Sequence, residues 1–174
     1  MSQININVIA VGVELFTTAD WTEVSDAIQR TRNIYATVGL GINEVKFFGI
    51  SVANAKGREN IDSDSEAEAL TDEWTVSNHA LDLFFVRTYA GTAVGLSRVD
   101  GPCDKNAKGM DGSVVAIEGS SDTTGLATAH ELAHYLGLSH DSAPGNLMLP
   151  STTGNLGMLR ADQGNNMKDH CFVF

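Results

Sequence analysis

The sequence predicts a single α/β domain in which a mixed, twisted five-stranded sheet carries packed helices. Three observations predict it. Five apolar runs rich in β-branched and aromatic residues alternate with two long amphipathic stretches, in the order strand, helix, strand, strand, strand, strand, helix. The chain has 174 residues, enough for one domain to bury a core of its own. Hydrophobic residues make up 43% and charged residues 19%, the balance of a globular domain rather than of a disordered segment. No internal repeat and no interdomain linker divides the chain.

The first strand is predicted in "INVIAVGVEL", residues 6–15, an apolar β-branched run. "DWTEVSDAIQRTRNIYATVG" follows as an amphipathic helix. Asp20 is the expected N-cap, with Glu23 three residues on as its capping-box partner. Trp21, Val24, Ile28, Ile34, Tyr35 and Val38 mark its apolar face, and Gly39 is a natural stop. "EVKFFGISVA" reads as the second strand. The polar stretch "NAKGRENIDSDSEAEALTDEW" reads as a solvated loop running into a short helix. Its acids lack the order of a calcium-binding loop, with no glycine where that turn needs one. Calcium is therefore a possible ligand of the many acids without a motif to support it. "ALDLFFVRTY" is apolar almost throughout and is expected at the centre of the sheet. "GTAVGLSRV" and "SVVAIEG" complete the strands, separated by the loop "DGPCDKNAKGMDG". "GSSDTTGLATAHELAHYLG" is the second long helix, with Ser121 or Asp122 as its cap and Gly137 at its end.

Charge narrows the partners. The formal net charge is −11, so no basic face is available for nucleic acid, and an anionic membrane surface is disfavoured for the same reason. Solubility and a solvated surface account for the acids. No apolar run is long enough to span a membrane. The first residues lack the basic start of a signal peptide, and Asn5, Asn7 and Glu14 interrupt the apolar run, so any export signal or pro-segment is expected to lie outside this chain or never to have existed. Two cysteines, Cys103 and Cys171, either pair in an oxidising compartment or remain separate thiols in a reducing one.

The chemistry concentrates in "HELAHYLGLSH". Three of the five histidines fall within these eleven positions. His130 and His134 stand four apart, so both imidazoles project from one helix face and can share a metal ion. Glu131 comes next to the first of them, beside the metal rather than on it, where a carboxylate can hold a zinc-bound water. A catalytic zinc commonly has three protein ligands and one open position. Gly137 supplies the turn: without a Cβ it adopts positive φ freely, and the chain leaves the helix to bring His140 back as the third ligand. Five fixed positions of this kind are far more specific than the two histidines alone. His79 and His170 have no spacing partner and are expected to be structural.

With "GNLMLP" downstream, the motif resembles the metzincin zinc metallopeptidases. The resemblance implies a zincin-like fold whose active-site helix binds zinc, with residues 1–137 as a large subdomain and 138–174 as a small C-terminal one. Met148 then becomes the Met-turn residue, and Met158 and Met167 serve packing. Pro150, two positions after Met148, stands where the astacin and serralysin branches carry a tyrosine. Asp141 directly after His140 is the usual residue of the adamalysin or reprolysin branch, which the sequence resembles most closely. "GTAVGLSRVDGPCDKNAKGMDGSVVAIEG" is similar to that branch's edge strand, cysteine-bearing loop and next strand. The resemblance implies a Cys103–Cys171 disulfide. It also implies a substrate lying extended along Gly95, Leu96 and Ser97, with the residues after Met148 walling the pocket for the side chain that follows the cut bond. Fewer cysteines than the usual branch member carries mark a compact, microbial-like relative.

These residues favour a zinc endopeptidase acting on extended protein or peptide substrates, with Glu131 as the base that activates the zinc-bound water and then passes its proton to the leaving amine. Two alternatives stand beside it. One is a narrow processing peptidase or aminopeptidase, and the other is a zinc-holding interaction domain without catalysis. The expected setting is a secreted monomer.

Overall fold

The computed structural model describes all 174 residues. Its main sheet has five strands in the order β2-β1-β4-β7-β6. These are β1 (Ser2–Val11), β2 (Leu40–Ile50), β4 (Leu81–Val86), β6 (Gly95–Leu96) and β7 (Ser113–Ala116). The first four neighbours run parallel, and β6 alone is antiparallel, against β7. The sheet is therefore mixed, as expected. Two small pairs accompany it: β3 (Asn60–Ile61) with β5 (Thr88–Tyr89), and β8 (Gly145–Asn146) with β9 (Asn155–Met158).

Five helices complete the chain: α1 (Thr18–Ala36), α2 (Val52–Ala55), α3 (Asp64–Trp74), α4 (Ser121–Tyr135) and α5 (Ala161–Lys168). The strands sort their side chains by alternation. Ile4, Ile6, Val8, Leu83, Phe85 and Val115 face α1 and α4 in a core of 26 buried residues, while Ile9, Val11, Phe84, Val86 and Val114 face the α3 side in a core of 12. The larger core lies under α4, so the helix that bears the histidines rests on the best-packed part of the molecule. The run "LDLFFV" is buried at every position and occupies the sheet's centre, as its composition predicts.

Several boundaries differ from those the sequence predicts. β1 begins earlier and ends at Val11, because Gly12 takes φ 72 and turns the chain into a short 3-10 turn. Helix α1 is capped by Thr17, not Asp20. The Thr17 hydroxyl accepts from the Asp20 amide, and the Asp20 carboxylate accepts from the Thr17 amide, a capping box one turn earlier. Glu23 is thereby free for another use, described below. Helix α4 is capped by Ser120 rather than by Ser121 or Asp122. The predicted strand "GTAVGLSRV" shrinks to Gly95–Leu96, the two residues in register with β7, with one further bond from the Ala116 amide to the Val94 carbonyl.

A buried charge ties the cysteine loop to the sheet. Asp82 in β4 accepts from Asn7 Nδ2 (2.7 Å), Thr75 Oγ1 (2.9 Å) and the Val76 amide (2.9 Å), and pairs with Lys105 Nζ at 2.8 Å. The Cys103–Cys171 disulfide closes the same region onto the C-terminal segment. His170 is buried there with Nε2 2.9 Å from the Gly101 carbonyl, and His79 lies 3.1 Å from the Cys171 carbonyl, so both are structural as expected. Met167 is a core residue, but Met158 is 57% exposed, with its sulfur beside Gly145, contrary to a packing role for both.

Candidate active site

Helix α4 presents His130 and His134 one turn apart. At its C-terminus Gly137 adopts φ 102, a conformation that side chains rarely tolerate, and the chain reverses to bring His140 back. The three rings converge, with centroids 4.5, 5.3 and 4.8 Å apart, and one nitrogen of each lies within 4.8 Å of the others. Backbone carbonyls orient two of the rings. His130 Nδ1 is 2.8 Å from the Leu147 carbonyl and His134 Nδ1 is 2.6 Å from the Leu138 carbonyl. A carbonyl can only accept, so each Nδ1 carries the proton and each Nε2 keeps its lone pair.

The electrostatics match. Burial, followed by the neighbouring His130 charge, pushes His134 down to about 4, and burial also lowers His130. Both are neutral at neutral pH, the form that binds a metal. Nε2-presenting neutral imidazoles with second partners on Nδ1 are the donor set of a zinc site, and the residues fit that ion. Another close set, Cys103, His170 and Cys171, has its two sulfurs bonded to each other.

Glu131 is buried next to His130, and burial alone pushes its carboxyl up to about 8. A cation held by the histidines would draw it back toward the ionised form. Gly95 on β6 abuts it: a Cβ there would stand 2.9 Å from Glu131 Cγ and 2.6 Å from the Val114 carbonyl. Gly95 and Leu96 form the edge strand beside the site, whereas Ser97 falls just outside it and accepts from Ser113 Oγ at 3.0 Å.

Met148 is fully buried after the third histidine. Its carbonyl accepts from the Asp141 amide at 2.9 Å, and Asp141 pairs with Arg160. Two hollows flank the histidines and Glu131. One, of about 310 Å³, is bounded by Val94, Leu126, Ala127, Leu149 and Pro150. The other, more open and of about 510 Å³, is bounded by Leu96, Ser97, Val99 and Ser139. Gly95, Glu131 and His140 border both.

Some supporting residues were not foreseen. Asn155 Nδ2 donates at 2.8 Å to the same Leu147 carbonyl that orients His130. Asn146 accepts from the Met148 amide and exchanges bonds with Gln163. Glu23 of α1 accepts from the Glu118 and Gly119 amides and from Thr124 Oγ1, holding the entry to α4. No local pattern in the sequence marks these residues, because their partners lie elsewhere in the chain.

No curated protein matches the chain. Among solved structures, one described as "Structure of a chaperone-substrate complex" contains a chain of similar fold, with a TM-score of 0.59 and 14% identity over 98% of this chain and 34% of that one. This protein thus spans about a third of that chain's length, and the likeness concerns fold alone. The Reprolysin_5 family model, Metallo-peptidase family M12, matches residues 6–166, which include every strand and helix bordering the histidines. With a zinc donor set, a neighbouring carboxylate and this match over nearly the whole chain, the protein belongs to metallopeptidase family M12.

Proposed function

We propose that the protein is a zinc endopeptidase that cuts internal peptide bonds of extended protein substrates. Membership of the M12 family implies zinc-dependent peptide hydrolysis. The observation that carries the finer reading is the pair of hollows: the cleft continues on both sides of Glu131, so substrate residues are accommodated before and after the bond to be cut. An aminopeptidase instead needs a closed end that holds a free amine.

His130, His134 and His140 would hold the zinc ion. The chemistry a bound zinc supplies is acidification of water and polarisation of the substrate carbonyl. Glu131 accepts a proton from the attacking water as its oxygen bonds to the carbonyl carbon. It then delivers that proton to the amide nitrogen as the C–N bond breaks, releasing an acid and an amine. Backbone groups of Gly95 and Leu96 align the substrate as an added strand. The hollow beyond Met148, with Leu126, Leu149 and Pro150, receives the side chain that follows the cut bond. Met148 acts as the Met-turn beneath the histidines, in a small subdomain formed by residues 138–174. The Cys103–Cys171 bond supports a secreted setting.

The test is digestion of an unfolded protein by the unmodified chain, by Glu131→Gln, and by the unmodified chain after zinc chelation, with the products read by mass spectrometry. Internal cuts made only by the unmodified, zinc-loaded protein are expected. Removal of single N-terminal residues would replace the reading with an aminopeptidase. Equal cutting by Glu131→Gln would overturn the mechanism.

A further inference from the structure

Strand β2 is the outermost strand of the sheet, paired with β1 on one side and with no strand on the other. Arg32 donates to the Ile42 carbonyl, and Val13 packs against Gly49, 3.0 Å from where a Cβ would stand. Between them, from Asn43 to Phe48, the edge is open to solvent, with Val45 half-buried. Phe47 is 59% and Phe48 39% exposed. Phe47 also extends an aromatic row, 6.3 Å from Trp21, which is itself 5.2 Å from Phe16. A long edge of this kind is a template for another strand, and a lysine on it ordinarily discourages pairing. Here a glutamate, Glu44, stands two positions before that lysine, Lys46.

We infer that two copies of the chain associate through this edge, β2 against β2, antiparallel about a two-fold axis at Val45. The axis of a symmetric antiparallel pair that keeps each strand face on its own side passes through a residue, because side chains alternate with period two. Placed at Glu44, the axis sets glutamate against glutamate. Placed at Lys46, it sets lysine against lysine. Placed at Val45, it sets Glu44 of each chain opposite Lys46 of the other, twice, and brings Phe47 diagonally beside the second copy's Val45. Glu44 and Lys46 face each other along the strand at 3.3 Å, each 51% exposed, so neither is committed to a buried partner. The joined sheets become one continuous sheet. Strand β6 and the histidines lie at the opposite edge, so both clefts stay open at its two ends.

Sedimentation equilibrium over a wide concentration range tests this without reference to peptidase activity. The unmodified chain is expected to form dimers. Glu44→Lys and Lys46→Glu should each weaken the dimer by about tenfold or more, since each turns both cross-strand pairs repulsive. An equimolar mixture of the two variants should regain the original strength, because each supplies the charge the other lost. The double exchange, E44K with K46E, should do the same. Circular dichroism confirms that every variant is folded. A chain that stays monomeric throughout would overturn the inference. So would single variants that associate as tightly as the unmodified chain, or a mixture no tighter than its components.

Discussion

Gly95 and Glu131 meet without room for a methyl group. A Cβ at Gly95 would press on Glu131 Cγ at 2.9 Å and on the Val114 carbonyl at 2.6 Å, and the backbone oxygen cannot yield. Gly95→Ala is therefore expected to displace the carboxylate while leaving the three histidines in place. Because a misplacement near 1 Å costs about a hundredfold in rate, kcat should fall by about that factor with zinc content unchanged, as read by steady-state kinetics beside metal analysis. An unchanged kcat would show that Glu131 has space to spare. A second residue stores an electrostatic cost. Asp111 is 1% exposed, neither carboxylate oxygen meets a protein donor, and burial together with nearby Asp72 pushes its pKa from 3.8 to about 6 despite Lys105. The sign follows from proton linkage: between these values the folded state holds a proton that the unfolded state has released, so this group's contribution falls as pH rises through that window. Asp111→Asn should remove that loss and stabilise the protein by about 3 kcal/mol at pH 7, with little gain below pH 4. Denaturant titrations at the two pH values measure it; equal effects at both would refute the assignment.

At the scale of elements, Glu23 joins α1 to the start of α4. It is 7% exposed and accepts from the Glu118 amide (3.1 Å), the Gly119 amide (3.0 Å) and Thr124 Oγ1 (2.5 Å). Glu23→Ala strands the Gly119 amide and the Thr124 hydroxyl, while the Glu118 amide keeps Thr124 Oγ1 as an acceptor, and should cost about 2–3 kcal/mol of unfolding free energy in denaturant titrations. Removing the exposed Glu44 carboxylate instead should leave folding stability within about 0.5 kcal/mol. From the sequence, Glu23 looks like half of a capping box, because both Thr17–Asp20 and Asp20–Glu23 have the required spacing. Only the partner at Glu118, far along the chain, decides between them. The same limit explains the strands. "LDLFFV" declares itself because burial on both faces demands apolar residues throughout, whereas the extent of β6 depends on which residues of β7 stand opposite. The pairs β3–β5 and β8–β9 have two to four residues per strand, too few for any periodicity. The histidine cluster was legible for the opposite reason: one helix turn and one glycine fix His130, His134 and His140 locally. Its supports, Asn155 and the Leu147 carbonyl, come from elsewhere in the chain and carry no local mark.

For the whole molecule, the Cys103–Cys171 bond spans 68 residues that include all of α4. Such a link restricts the unfolded chain, and replacing both cysteines with serine should lower stability by about 4 kcal/mol in the loop-entropy account. Denaturant unfolding of the paired and substituted proteins gives the difference; a change below about 1 kcal/mol would mean the native state bears compensating strain. A second closure is non-covalent. The Gln3 amide donates to the Phe174 carbonyl at 2.8 Å, and the Phe174 amide donates back to Gln3 at 3.0 Å. Topologically the backbone is thus almost a ring, and the order in which its segments are connected is separable from the way they pack. A circular permutant that joins these neighbours through a short flexible linker and opens the chain at the exposed Lys56–Gly57 turn should fold to the same sheet and retain the histidine cluster. In such a molecule β1 would become an internal segment of the chain, while the residues that border the two hollows beside Glu131, from Thr92 to Asn155, would keep their order.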